Sequence, residues 1–482
     1  MPGGQALRLD LSGAGGNAML VGGADADQYT ALRDLITAIT AVHTPEQAQF
    51  YCLDFGRRLA ELAVLPHVGS IAHGRDDERV RRIVFELAAL LRRRRENFAR
   101  LGIRDIAEFR EWQHNVRTAG AIGDPVLRDG FGDVFLVVDH WLVLTEEHSE
   151  LEHIVNELAG EGLSYGIHLI LTASKWSQVR PSLRESIRTR IDLWPEDPAA
   201  RGIRRPVTVE PLLAAVVSHA GSDYRAPEIP VLPTDLTREQ VLVQAAAAGI
   251  EQGPTRVVLG VSEFELQPWT MDFDEDPHLM VFGERECGKT TLLRSLIRGI
   301  TESSTPRRAR ILAIDPCRTL LGAVPDDYLA GYATVHESSV TLVQDLADHL
   351  AERLPDPDLT PRQIRERDWW TGPEIYLLVD DYERVTRAGS ANPLTPLIEL
   401  LSQAEHLGFH LILARPVSGA YLAFDADPVL ADLRAQGAAA LLMSGSRDEG
   451  RFIAGVRPRF LPPGRGSLIT RTGGPDLIQV AA

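Results

Sequence analysis

Val281-Phe-Gly-Glu-Arg-Glu-Cys-Gly-Lys-Thr-Thr-Leu-Leu-Arg-Ser-Leu-Ile297 is the stretch that decides the fold. A short apolar run leads into Gly283-x4-Gly288-Lys289-Thr290, and the apolar residues that follow (Leu292, Leu293, Leu296, Ile297, Ile300) recur at helical spacing. Strand, glycine loop and helix in that order form a phosphate-binding loop. Its glycines let backbone N–H groups curl around a β-phosphate, and the helix N-terminus adds positive potential. We therefore expect Gly283, Glu284, Arg285, Glu286, Cys287, Gly288, Lys289, Thr290 and Thr291 to frame ATP. Lys289 would bridge the β- and γ-phosphates, and the Thr290 hydroxyl would ligate Mg²⁺. Cys287 reads as a small residue that fits the loop, the alternative being a thiol activated by the helix dipole.

The same pattern occurs earlier as Leu20-Val-Gly-Gly-Ala-Asp-Ala-Asp-Gln-Tyr-Thr-Ala-Leu-Arg-Asp-Leu-Ile36. Continued without gaps, Leu53-Asp54 falls on Ile314-Asp315. Asp133-Val-Phe-Leu-Val-Val-Asp139 then matches Glu374-Ile-Tyr-Leu-Leu-Val-Asp380, and Gly166-Ile-His-Leu-Ile-Leu171 matches Gly408-Phe-His-Leu-Ile-Leu413. Four matches in one order mean two copies of one domain. The runs 279–282, 310–314, 375–379 and 410–413 are short, β-rich and apolar beyond a leading Arg310 and His410, as expected of strands covered on both faces. With amphipathic helices between them, each copy is expected to be an α/β domain: a mostly parallel sheet flanked by helices. The expected boundaries are 1–205 for the first copy, a proline-marked linker over 206–250, and 251–482 for the second.

Asp380 ends an apolar strand, where it would hold Mg²⁺ through water, and Asp381 would polarise the attacking water. The first copy lacks this chemistry. Gln28 stands for the lysine, Asp27 for the second glycine, Tyr29 for the hydroxyl and His140 for Asp381, although Asp139 is kept. It is expected not to hydrolyse ATP. Elsewhere, the four arginines at 92–95 read as a solvated, ion-paired helix face, and His168 and His410 as structural. Trp369-Trp370 suits core packing or a partner surface.

The 482 residues suit two to three domains. A net charge of −17 opposes binding to a phosphate backbone, so no specific nucleic-acid partner is expected. No apolar run reaches the roughly 18 residues of a membrane helix, and no signal-peptide pattern is present. Cys52, Cys287 and Cys317 form no CxxC pair, which points to a reducing compartment without structural zinc.

The repeat, the P-loop, the Asp380-Asp381 strand end and the Gly-Ile/Phe-His-Leu-Ile strand resemble the FtsK/SpoIIIE family of P-loop ATPases, with RecA-like domains. The tandem arrangement resembles the EccC-type ATPases of type VII (ESX) secretion. Asp10-Leu-Ser-Gly-Ala-Gly-Gly-Asn17, Phe50-Tyr-Cys-Leu-Asp-Phe-Gly56, Leu65-Pro-His-Val-Gly69 and Asp368-Trp-Trp-Thr-Gly372 carry that likeness. The resemblance implies the second and third ATPase domains of a longer protein: either a piece of one chain or the shorter member of a split pair. It further implies partners: a membrane-embedded secretion complex, an upstream ATPase domain, and helical-hairpin export substrates recognised through a C-terminal signal. Hexameric assembly and a cytoplasmic location peripheral to the plasma membrane follow from the same likeness. Thr189-Arg190-Ile191 resembles the family's arginine-finger segment, which makes Arg190 a candidate catalytic residue for a neighbouring domain; the aligned stretch of the second copy reads Ala438-Ala439-Ala440. Asp381 stands where the family usually has glutamate, and its sensor glutamine falls at about Pro416. Slow ATPase turnover is expected on both grounds. Three functions stay open: a coupling or motor subunit of protein secretion, a double-stranded DNA translocase, and a non-hydrolysing scaffold cemented by ATP.

Overall fold

The computed structural model describes residues 11, 15–23, 25–74, 76–119, 129–193, 224–264, 266–355, 360, 362–363, 367, 369–386, 391–451, 453–471 and 475–482. Asp10, Asp368 and residues 206–223 of the expected linker lie outside them. The chain divides into two compact units, Met1–Val231 and Leu232–Ala482.

In the first unit, strands β1 (Ala18–Val21), β2 (Ala48–Asp54), β3 (Val68–His73), β4 (Asp133–Asp139), β5 (Ile167–Ala173) and β6 (Thr189–Asp192) form one sheet in the order β3-β2-β4-β5-β1-β6. Every pairing in it is parallel. In the second unit, β7 (Arg256–Ser262) and β8 (Pro268–Asp272) precede β9 (Leu279–Phe282), β10 (Ala309–Ile314), β11 (Leu329–Ala333), β12 (Glu374–Val379), β13 (Phe409–Arg415) and β14 (Ala439–Met443). These last six repeat the first sheet as β11-β10-β12-β13-β9-β14, again parallel. The antiparallel strands β15 (Arg465–Ile469) and β16 (Asp476–Val480) then join β14 to β7 and β8. Helices cover both faces, so β1, β2, β5, β9 and β13 are buried along their whole length. The α/β architecture is therefore two tandem domains of one topology, each a mostly parallel sheet flanked by helices.

The boundary falls after Val231, inside the stretch read from its prolines as linker. Residues 224–231 pack on the first unit: the Tyr51 hydroxyl donates to Pro227 O (2.9 Å), Ile229 N–H to Ser70 Oγ (2.9 Å) and buried Arg82 to Pro230 O (3.0 Å). Prolines lack an N–H, so Pro227 and Pro230 bond through their carbonyls, while Ala226 and Ile229 donate their N–H groups. Residues 232–250 belong to the second unit. They include the helix Arg238–Ala247, capped by Thr237, and their Leu232 O and Pro233 O accept from the Arg465 guanidinium of β15.

One brace recurs in both copies with different chemistry. Asn17 Oδ1 accepts Leu169 N–H (2.9 Å) while its amide donates to Ala159 O (2.8 Å). At the equivalent place His278 Nδ1 accepts Leu411 N–H (3.0 Å), which leaves Nε2–H for Leu401 O (3.2 Å). Complete burial lowers the His278 pKa to about 4 from the ordinary 6.5. The unfolded histidine gains its proton near pH 6.5 and the folded one only near pH 4. Stability is thus complete above 6.5 and falls with pH through that window, by about 1.4 kcal/mol per unit. His278→Asn, which copies the first unit, should remove about 2 kcal/mol of the acid destabilisation between pH 6.5 and 5. Thermal unfolding of both proteins across that range checks this; equal pH slopes would refute it.

The arginine run does not behave as one solvated face. Arg93 pairs with Glu86, and Arg95 with Glu157 and Glu161. Arg94, by contrast, is only 1% exposed. It grips Asp129 (2.6 Å) and donates to the carbonyls of Tyr165, Phe131 and Gly132. A buried guanidinium needs all its donors met, and the chain around β4 and β5 supplies them. His168 and His410 stack on Phe135 and Tyr376 at 4.6 Å each, as structural residues do. Trp369 and Trp370 pack around Arg353, whose guanidinium lies 4.2 Å from the Trp370 ring centre.

Candidate nucleotide site

In a parallel sheet, consecutive strands end on the same side. The adjacent strands β9, β13 and β12 therefore bring the P-loop, Arg415 and Asp380 together at their C-terminal ends. The loop departs from β9 through Gly283, whose N–H bonds Arg415 O (3.1 Å). It turns through two left-handed residues, Glu286 (φ 63°) and Gly288 (φ 106°). A Cβ at Gly288 would lie 3.0 Å from Gly464 N, so that position must be glycine on two counts. The helix Lys289–Ser303 follows.

Lys289 Nζ donates to Gly283 O (2.6 Å) and Glu284 O (2.9 Å), which curls its ammonium over the loop. The Glu284 side chain accepts Ser418 N–H (2.9 Å) and ties the loop to the turn after β13. Thr290 Oγ1 lies 3.0 Å from Asp380 Oδ2. Thr319, which the sequence reading missed, places its Oγ1 2.7 Å from the same oxygen and 3.1 Å from Asp315 Oδ1. Its aligned position in the first copy is Arg58, a difference visible in the sequence. Burial raises the Asp380 pKa, against the opposing bonds from Thr319 and Thr290. A buried carboxylate beside a P-loop hydroxyl fits a divalent cation, whose charge would favour its ionised form.

The other candidates divide. Gly283, Glu284, Cys287, Gly288, Lys289 and Thr290 lie together, with Asp380 and Asp381 facing them from β12. Arg285 and Glu286 are exposed on the loop, and Thr291 is exposed on the first helical turn. Cys287 is buried against Met443, and burial raises its thiol pKa, so it fills space and is not dipole-activated. β13 ends in Arg415, one residue before Pro416, and its buried side chain (7% exposed) is another that the sequence reading missed. Arg190 lies on β6 of the first unit.

The first copy differs in more than identities. Its helix begins at Asp25, so the residues aligned with Glu286–Gly288 are already helical and make no phosphate loop. Gln28, 1% exposed, donates to Gly22 O (3.0 Å) and Ala173 O (3.2 Å), closing the place where the lysine would work.

The model of the FtsK/SpoIIIE family matches residues 1–216 and 244–364. The chain is 40% identical over 505 residues to the ESX secretion system protein EccC of Thermomonospora curvata, covering 98% of this chain and 38% of that protein. Against the ESX-1 protein EccCb1 of Mycolicibacterium smegmatis (strain MKD8) it is 33% identical over 516 residues, covering 98% and 85%. It superposes with a TM-score of 0.86 and 40% identity on Thermomonospora curvata EccC (ATPases 2 and 3) in complex with a signal sequence peptide, covering 98% of this chain and 89% of that one. The chain thus spans well under half of one full-length relative and most of another, and no helix among its described residues is long and apolar enough to cross a membrane. With the repeated sheet, the single intact P-loop and these likenesses, the chain belongs to the FtsK/SpoIIIE family and, within it, to the EccC ATPases of ESX, or type VII, secretion systems.

Proposed function

We propose that the chain is an ATP–Mg²⁺-binding coupling subunit of type VII secretion that recognises export substrates and drives or gates their passage. The observation that carries it is the one intact cradle, with Lys289 over the loop and the Thr290 hydroxyl 3.0 Å from Asp380. Gly283 to Thr290 would bind the phosphates, Thr290 and Asp380 would hold Mg²⁺, and Asp381 would polarise the attacking water. When bound, Mg²⁺ supplies charge neutralisation between the β- and γ-phosphates. The first copy serves as a nucleotide-free partner domain. Turnover of the chain by itself is slow, because an arginine from a neighbour is part of a fast site.

Substrate recognition is supported by the signal sequence peptide bound to the Thermomonospora curvata relative, and the C-terminal place of that signal goes with the family resemblance. The membrane-embedded complex, the upstream ATPase domain, hexameric assembly and a place at the cytoplasmic face of the membrane go with the same reading. A DNA translocase needs a basic channel, and a chain of net charge −17 resists one. Fluorescence anisotropy near 0.15 M salt separates the two functions, using a labelled C-terminal peptide of a helical-hairpin export substrate and duplex DNA. The peptide should bind and the DNA should not. Submicromolar DNA binding without peptide binding would replace secretion by translocation.

A further inference from the structure

Two buried carboxylates share one hydroxyl beside the P-loop. Asp315, just past β10, is fully buried, and Asp380, just past β12, is 1% exposed. Thr319 Oγ1 lies between them, 2.7 Å from Asp380 Oδ2 and 3.1 Å from Asp315 Oδ1. A hydroxyl has one proton to donate, and the shorter contact gives it to Asp380. Asp315 is engaged elsewhere. Its Oδ1 accepts the Thr319 N–H (3.0 Å), and its Oδ2 accepts the Leu320 N–H and the Tyr332 hydroxyl, each at 2.6 Å. Asp315 thus anchors the turn after β10, and Thr319 is the arm by which that turn reaches Asp380.

Asp380 is the carboxylate read as holding Mg²⁺, and three groups fix it. The Asp381 N–H donates to its Oδ1 (3.0 Å), while the Thr290 and Thr319 hydroxyls lie 3.0 and 2.7 Å from its Oδ2. The Thr290 oxygen is itself expected on the cation. Thr319 has no such second task, since its hydroxyl bonds the two carboxylates alone among the described residues.

The repeat provides an internal control. The first copy builds the same turn: Asp54 Oδ1 accepts the Arg58 N–H and Oδ2 the Leu59 N–H, each at 3.0 Å. Arg57 is left-handed there (φ 57°), as Arg318 is in the second copy (φ 59°). Arg58 stands at the place of Thr319, so this turn folds without a hydroxyl. The first copy's Asp139 is braced differently: its Oδ1 accepts the Thr172 hydroxyl (2.8 Å), and its Oδ2 lies 3.0 Å from His140 Nδ1. The copy without a phosphate loop has therefore lost both threonines that reach Asp380, with Tyr29 at the place of Thr290. The Thr319 hydroxyl goes with the nucleotide site and not with the fold.

We propose that Thr319 is a positioning residue for Mg²⁺: its hydroxyl, braced by Asp315, holds the Asp380 carboxylate in the orientation that a bound cation requires. The role rests on the reading of the P-loop as an ATP–Mg²⁺ site. Mg²⁺ tolerates little departure from octahedral geometry and keeps several of its waters, so a carboxylate that serves it has to be held still. A hydrogen bond to the carboxylate does this, and removing such a partner costs about 10- to 100-fold in metal affinity.

The test compares, by calorimetry on the full chain, ATP affinity in Mg²⁺ and in excess EDTA. Thr319→Val, which keeps the shape and removes the hydroxyl, should weaken binding of ATP–Mg²⁺ by about 10- to 100-fold and leave binding in EDTA unchanged. The unchanged value in EDTA also shows that the P-loop is folded. Thr319→Ser should recover most of the loss. In an Asp380→Ala background Thr319→Val should add nothing, because it acts through that carboxylate. Wild-type Mg²⁺ dependence in Thr319→Val, an equal loss in EDTA, or a full further loss in the Asp380→Ala background would each overturn the assignment. A wild-type chain whose ATP affinity is the same with and without Mg²⁺ overturns it too, yet leaves ATP binding standing. A wild-type chain that binds no ATP sinks both.

Discussion

Lys289→Ala should abolish ATP–Mg²⁺ binding, taking the calorimetric stoichiometry from one site per chain to none. The ammonium already points into the loop, with its protons on Gly283 O and Glu284 O at 2.6 and 2.9 Å. Phosphate oxygens are stronger acceptors than these carbonyls, and each charge-assisted bond contributes about 1.5–3 kcal/mol. Losing two of them weakens binding by about 10²- to 10⁴-fold. The first copy offers no fallback, because its loop is wound into the helix Asp25–Thr40 and Gln28 is spent on two carbonyls. Lys289 is only half-buried and its ammonium bonds only within the loop, so the thermal midpoint should hold. Unchanged binding by Lys289→Ala would mean that the nucleotide sits elsewhere.

Arg190→Ala should lower ATP hydrolysis by about 10³- to 10⁵-fold in the complex reconstituted with the upstream ATPase domain, the effect of removing an arginine finger. In the chain by itself it should leave ATP binding at Gly283–Thr290 untouched. We propose this role because Arg190 stands on β6, an edge strand of the first sheet, where it is exposed yet held. Its guanidinium donates to Ile187 O (3.2 Å) and Arg184 O (2.9 Å) and lies 5.4 Å from the centre of the Trp176 ring. A cation oriented in advance gives up little side-chain entropy when a phosphate arrives. Sheet register puts Ala440 at the equivalent place, since Arg190 pairs with Met19 and Ala440 with Met280. This moves the sequence match by one residue and leaves the contrast intact: the second copy has no arginine there to offer. Equal rates for mutant and wild type in the reconstituted complex would reduce Arg190 to a surface residue.

The sequence by itself determined the parts written in local chemistry. The glycine spacing of Gly283 and Gly288 is a backbone requirement, and an apolar run such as 375–379 admits only a strand buried on both faces. The repeat carried that logic to the first copy, whose departure from the phosphate-loop pattern showed in Gln28 and Asp27. Tertiary structure decided whatever depends on which chain ends meet. Thr319 and Arg415 are 29 and 126 positions from Thr290 and Lys289 in a sequence that marks neither of them, and β10 and β13 bring them to one edge. The burial of Arg94 among distant carbonyls, and the docking of residues 224–250 onto the two units, are likewise hidden from composition. A motif is legible when neighbours in sequence do the binding; a cluster across parallel strands is not, because strand order is set by how whole helices pack, and no local pattern records it.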